Sequence, residues 1–109
     1  MSVPFSHFAE LDIVVGTILS AEIVPDADRL LQLQVEVGEE MPRQVISGIR
    51  EFFPEPSELV GRQCLFVINL EPRTIRGMAS HGMILAAYHG DDFALLHPSK
   101  MIPAGTPVR

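Results

Sequence analysis

Leu31, Leu33, Val35 and Val37 alternate with Gln32, Gln34, Glu36 and Gly38. Successive side chains of a strand point to opposite faces, so this alternation predicts a half-buried strand with one apolar and one polar face. Two other runs, Cys64 to Ile68 and Met83 to Ala87, are apolar without interruption, the pattern of strands covered on both sides. Upstream, Asp12 to Ile23 is rich in Ile and Val but broken by Gly16, which in a long strand marks a bulge or bend of the kind that curls a sheet into a barrel. Gln44 to Ser47 reads as a short strand ended by Gly48. Phe93 to His97 reads as a further strand, entered through the turn His89-Gly90-Asp91-Asp92.

The intervening segments carry turn and cap signals. Ser6 to Leu11 fits one helical turn with Ser6 as N-cap. Pro25-Asp26-Ala27-Asp28 turns the chain, and Gly38 to Pro42 is a hairpin connection. Ile49 to Val60 contains Pro54, Pro56 and the pair Phe52-Phe53, which supports short helical turns able to plug a barrel end but no long helix. The tail from Pro103 to Pro107 is rigid and turn-rich. Together these elements predict an all-β chain: a five-stranded Greek-key barrel of the OB-fold type, with short helical turns and an extra C-terminal strand. With 109 residues the chain is expected to be one domain, residues 1–109, its core running from about residue 8.

Composition narrows the picture. Aliphatic residues supply most of the 47% hydrophobic content, with no Trp, one Tyr and six Phe, enough for a compact fold without cross-links. Cys64 is the only cysteine, which excludes an intramolecular disulfide and predicts a buried thiol in a reducing, cytoplasmic setting. The N-terminus lacks a basic region followed by an apolar stretch, and no segment has membrane length, so neither secretion nor a membrane partner is expected. Eight Lys and Arg against fourteen Asp and Glu give a net charge of −6, the wrong sign for holding nucleic acid by bulk attraction. A polyanion would have to meet a local patch. Many of the acids come early, from Glu10 to Glu40, whereas Arg43, Arg73 and Arg76 come later. Seven of the eight basic residues are Arg, a bias toward directed hydrogen bonding.

The run from Asn69 to Ala87 joins a buried strand, a basic loop and a strand rich in small residues. Pro72 fixes one φ, Gly77 and Gly82 permit positive φ, and Arg73 and Arg76 are left pointing outward beside Ser80 and His81. Such a loop offers planar forks of donors suited to phosphate oxygens and no obvious nucleophile. The plainer alternative is a solvated loop whose arginines pair with the protein's own acids. Catalysis finds little support, because Ser80 and His81 are neighbours on a strand, facing opposite ways, with no acid nearby to orient the histidine. His7, His81, His89 and His97 lack the spacing of a metal site, and no cofactor is expected. Asp26 and Asp28 read as turn formers, and His89 with Asp91 and Asp92 as a solvated turn.

Asn69-Leu70, Pro72-Arg73, Arg76-Gly77, Ser80, Gly82-Met83 and Leu85-Ala86-Ala87 resemble the signature of the tRNA-binding domain found at the C-terminus of many bacterial methionyl-tRNA synthetases, in stand-alone tRNA-binding proteins and in cytokine-like synthetase cofactors. Leu11-Asp12-Ile13, Val15-Gly16 and Ile18 resemble its opening strand. Pro25, Ala27-Asp28 and Leu30 resemble its first turn, and Arg43-Gln44 with Ile46 to Ile49 its middle. The resemblance implies the same OB fold and a tRNA ligand recognised mainly by shape. It also implies a binding face that includes Arg43, Ser47, Asn69, Arg73, Arg76, Ser80 and Met83. Asn69 and Ser80 fit equally well as loop-holding residues, and Met83 as core filler.

In this family the barrel pairs with itself. Here Phe5, Phe8 and Met101-Ile102-Pro103-Ala104 exceed what a small barrel needs inside, so a homodimer is expected, with an aminoacyl-tRNA synthetase as a possible further partner. The family has basic residues where Val14, Thr17, Glu71 and Thr74 stand, and a His in place of Val24, so several phosphate contacts are expected to be missing. Two other roles stay open: a dimeric chaperone-like interaction module, and the C-terminal domain of a methionyl-tRNA synthetase. Met1 close to the first family residue leads us to expect a stand-alone protein.

Overall fold

In the computed structural model, which describes residues 1–109, a short helix α1 (Phe5–Ala9) leads into the long strand β1 (Ile13–Ile23). Pro4, not Ser6, stands at the helix N-cap, and no side chain caps it. The alternating run forms β2 (Leu31–Glu36), with Leu31, Leu33 and Val35 buried, and β3 (Arg43–Ser47) pairs with it antiparallel. Two 3₁₀ turns, Arg50–Phe52 and Pro56–Leu59, follow where prolines and paired phenylalanines forbid a long helix. Then come β4 (Gln63–Val67), β5 (Arg73–Ile75), β6 (Met78–Ser80), β7 (Met83–Ile84), β8 (Ala86–His89) and β9 (Asp92–Leu95).

The main sheet has five strands in the order β3-β2-β1-β4-β7. Its two edges meet where Ser80 and His81 bond to β3, so the sheet is nearly closed into a barrel of the expected type. The apolar run predicted as one strand from Met83 to Ala87 is divided. β7 pairs with β4, Leu85 bonds to Leu65, and β8 leaves the barrel to pair with β9 as the extra C-terminal ribbon.

Long side chains from several strands meet inside, with Ile18, Leu33, Val35, Leu59 and Phe66 fully inaccessible. Gly16 serves this packing. A Cβ there would lie 2.7 Å from both the Phe66 ring and Val35, and the β1 irregularity falls further on, between Ile18 and Ser20. Gly16 is therefore a space requirement, and the bend expected of it lies elsewhere.

β1 changes partner along its length, because β2 pairs with it only from Thr17 to Ile23. The C-terminal tail covers the edge left open: Val15 N–H donates to Thr106 O (3.0 Å), Gly105 N–H to Val15 O (2.7 Å) and Val108 N–H to Ile13 O (2.8 Å). Gly105 has φ +90°, and a Cβ on it would sit 2.6 Å from Val37 O, so only glycine lets the tail pass there. The buried Gln63 side chain fixes the same tail, donating to Ile102 O (2.6 Å) and accepting from Ile102 N–H (3.1 Å). No helix is long and apolar enough to cross a membrane.

Candidate nucleic-acid interface

β5 and β6 form a two-stranded hairpin of their own, packed on β3 through β6 and joined by Arg76 and Gly77. Both have positive φ, 52° and 78°, as in the two-residue turns whose twist matches a hairpin. Arg76 thus occupies a backbone region usually left to Gly or Asn, at the exposed tip.

Side chains lock the base of this hairpin. The Ser80 hydroxyl, 4% exposed, accepts from Ile46 N–H (3.0 Å) and donates to Gly82 O (3.2 Å). With both roles taken, it is a brace and no nucleophile. His81 N–H donates to Gln44 O (2.8 Å), and the Gln44 amide donates to Ala79 O (2.9 Å) while accepting from Gln32 (2.8 Å). Arg43 closes the loop by donating through Nη1 to Ile68 O (2.7 Å) and His81 O (2.9 Å), one carbonyl at each end. Its Nε and Nη2 meet both Glu39 carboxylate oxygens, at 2.7 and 2.9 Å. The hydrogen bond from Arg43 outweighs desolvation and holds the Glu39 carboxyl below its ordinary range, while Arg43 is raised by the same bond. The pair therefore contributes above the ordinary Glu pKa and weakens as pH falls, by a small amount given its exposure. Asn69 ties the loop to the N-terminal segment, accepting from Asp12 N–H and donating to Glu10 O, both at 2.7 Å.

The seven residues proposed from sequence therefore separate. Arg43, Asn69 and Ser80 spend their polar atoms on fixing the loop. Ser47, Arg73 and Met83 line a cavity of about 70 Å³ under the hairpin, with Ser80 at its wall. Arg76 faces another notch, of about 460 Å³, whose opposite side is the turn from Ala27 to Leu30. That turn brings in Arg29, which no local pattern had singled out; its nearness to Arg76 is produced only by the fold.

The single ion pair in the molecule is Arg43–Glu39. Arg29, Arg73 and Arg76 have no carboxylate partner, so the alternative in which the loop arginines pair with the protein's own acids does not hold. Of the positions that depart from the family pattern, Val14 and Val24 are core residues at 4% exposure, and Thr17 accepts from Gln63 (3.0 Å). Glu71 and Thr74 alone lie exposed on the loop. Chemically, the hairpin and the neighbouring turn present three free guanidinium groups on fixed backbone, an arrangement that can receive phosphate oxygens.

A family model described as "Putative tRNA binding domain" matches residues 13–107. The chain is 48% identical over 107 residues to the methionine–tRNA ligase of Methanothrix thermoacetophila, which covers 98% of this chain and 16% of the ligase. It thus spans about one-sixth of the length of the curated relatives it matches. Among solved structures, the methionyl-tRNA-synthetase-related protein of Pyrococcus horikoshii superposes with a TM-score of 0.92 at 30% identity, covering 100% of this chain and 99% of that one. The chaperone CsaA of Bacillus anthracis superposes with a TM-score of 0.88 at 28% identity over the whole of both chains.

Proposed function

The chain belongs to the tRNA-binding domain family, and from that membership we propose that it binds tRNA, recognising its shape, and catalyses no reaction on it. The contact surface is the loop from Asn69 to Met83 together with the adjoining β3 face. The observation that carries this reading is the pair of unpartnered arginines, Arg73 and Arg76, on a hairpin locked to the barrel. A donor held in place before the ligand arrives loses less conformational entropy on binding. Within this reading Arg43, Asn69 and Ser80 act by positioning the loop, and Ser47 and Met83 lie at its foot. The protein works in the cytosol in support of aminoacylation, beside a methionyl-tRNA synthetase or as part of one.

The test is a titration with tRNA at two salt concentrations. Arg73→Ala and Arg76→Ala should each weaken binding by about 1–3 kcal/mol and lower the salt slope by about one, with unchanged melting. Glu71→Lys, adding a cation on the same exposed loop, should tighten it. If the double arginine variant and Glu71→Lys all bind as the parent does, the loop is not the site.

A different observation favours a second reading. A groove of about 570 Å³ floored by Phe53, Phe93 and Leu95 is rimmed by Arg62, His97 and Lys100, and none of its lining residues is acidic. In a chain of net charge −6 this is an apolar trough with a cationic lip, suited to an extended peptide carrying acidic residues. The likeness to the chaperone CsaA adds weight to it. Should tRNA fail to bind, capture of such a peptide by the wild-type protein, lost on changing Arg62 and Lys100 to Glu, is the expected result.

A further inference from the structure

The notch between the β1–β2 turn and the hairpin tip is lined by Arg29, Arg76 and Asp28, with Leu30 and Ile75 as apolar walls. Both arms are anchored. Arg50 N–H donates to Arg29 O (3.2 Å) and the Arg50 guanidinium to Ala27 O (3.0 Å), so the turn is tied at two points to the first 3₁₀ turn. The opposite arm is the hairpin braced by Ser80 and Gln44. On these two fixed arms the three polar side chains are exposed, and none hydrogen-bonds to the rest of the protein. Asp28 makes no side-chain bond to its own turn, so the turn-forming role expected of it from sequence is not what occupies its carboxylate.

Two arginines lining one open notch, one on each of its arms, suit a phosphodiester. Taken alone they would accept RNA and DNA alike. The Asp28 carboxylate in the same notch changes that, because it repels a phosphate and accepts a hydrogen bond only from a donor. In a nucleic-acid backbone the donor one sugar away from a phosphate is the ribose 2′-hydroxyl, the group that separates RNA from DNA. We propose that this notch holds one ribose-phosphate unit, with Arg29 and Arg76 on the phosphate oxygens and Asp28 accepting from the 2′-hydroxyl, and that it makes the domain selective for RNA. The inference rests on the nucleic-acid reading of the neighbouring hairpin. It extends that reading to a second segment of chain and to the sugar.

The experiment compares an RNA stem-loop with the DNA stem-loop of the same sequence, bound to the wild-type protein and to Asp28→Ala, Arg29→Ala and Arg73→Ala, each checked for unchanged melting. The wild type should bind RNA about tenfold tighter than DNA, one charge-assisted hydrogen bond's worth. Asp28→Ala should bring the two within about threefold, by weakening RNA and strengthening DNA. Arg29→Ala should weaken both by about tenfold and leave their ratio intact. If Asp28→Ala leaves the ratio unchanged, or Arg29→Ala leaves both affinities unchanged, while Arg73→Ala still weakens binding, the notch assignment is wrong and the hairpin reading stands. If the wild type binds neither stem-loop nor tRNA, both fall together.

Discussion

Cys64 shows how far one residue's environment can be read from its neighbours in sequence. Its place in an uninterrupted apolar run predicted burial, and the side chain is 1% exposed, with burial pushing the thiol pKa up to about 11. The nearby Arg62 charge opposes that rise only in part. A folded pKa above the unfolded one means that the native state holds this proton more tightly. The associated stability is thus fully present below the unfolded value and is lost as pH climbs through the folded one. With ordinary thiol reagents at about pH 8, labelling of the native protein should be at least a hundredfold slower than in denaturant, since the thiolate fraction falls tenfold per pKa unit. Equal rates would contradict the packing of β4. Glycines were less transparent. Gly77 has the positive φ its turn suggested, but Gly82 does not, and Gly16 gives room to Phe66 instead of bending its strand. Both outcomes depend on what lies opposite in space, which a local pattern does not carry.

At the level of elements, β2 and β4 were legible because their signals, alternation and an unbroken apolar run, are contained in five or six residues. The Asn69–Ala87 region was legible as a loop between two strands. That the loop folds into a hairpin, and that β8 parts from β7 after Leu85, was not, because small apolar residues run through that point without a change of period. The division of the site residues was hidden for a similar reason. Arg43 and Arg73 are alike as residue types, yet one closes the loop on two carbonyls and the other is free, a difference made by contacts across long stretches of chain. Ser80 is the buried one among the side chains that brace the hairpin. Ser80→Ala would leave the buried Ile46 N–H without an acceptor, at a cost of about 1–3 kcal/mol. In a domain of this size that should lower the melting temperature by roughly 4–8 °C per kcal/mol. A calorimetric scan showing no change would mean that solvent or another group takes over the bond.

Across the whole molecule, a chain of net charge −6 keeps all but one of its Lys and Arg side chains free of carboxylate partners, so directed donors remain available on an acidic protein. The same molecule exposes Phe5 at 79%, Phe8 at 40% and Met101 at 68%, more apolar surface at its ends than a lone barrel gains from. We expect a homodimer built on those ends. Light scattering at micromolar concentration should give twice 12.0 kDa, and Phe5→Asp with Phe8→Asp should return it to a single copy. A single-copy mass for the parent protein would instead mean that these rings serve only to cap the barrel.

The groove that holds Phe5 and Phe8 is lined on its far side by Val108 and Arg109, so both ends of the chain open onto one feature of the surface. Entry and exit at a shared point make the barrel a portable unit. It can be suspended from either terminus of a larger polypeptide, or spliced into one of that polypeptide's surface loops, with little spacer and with the tail's bonds to β1 left in place.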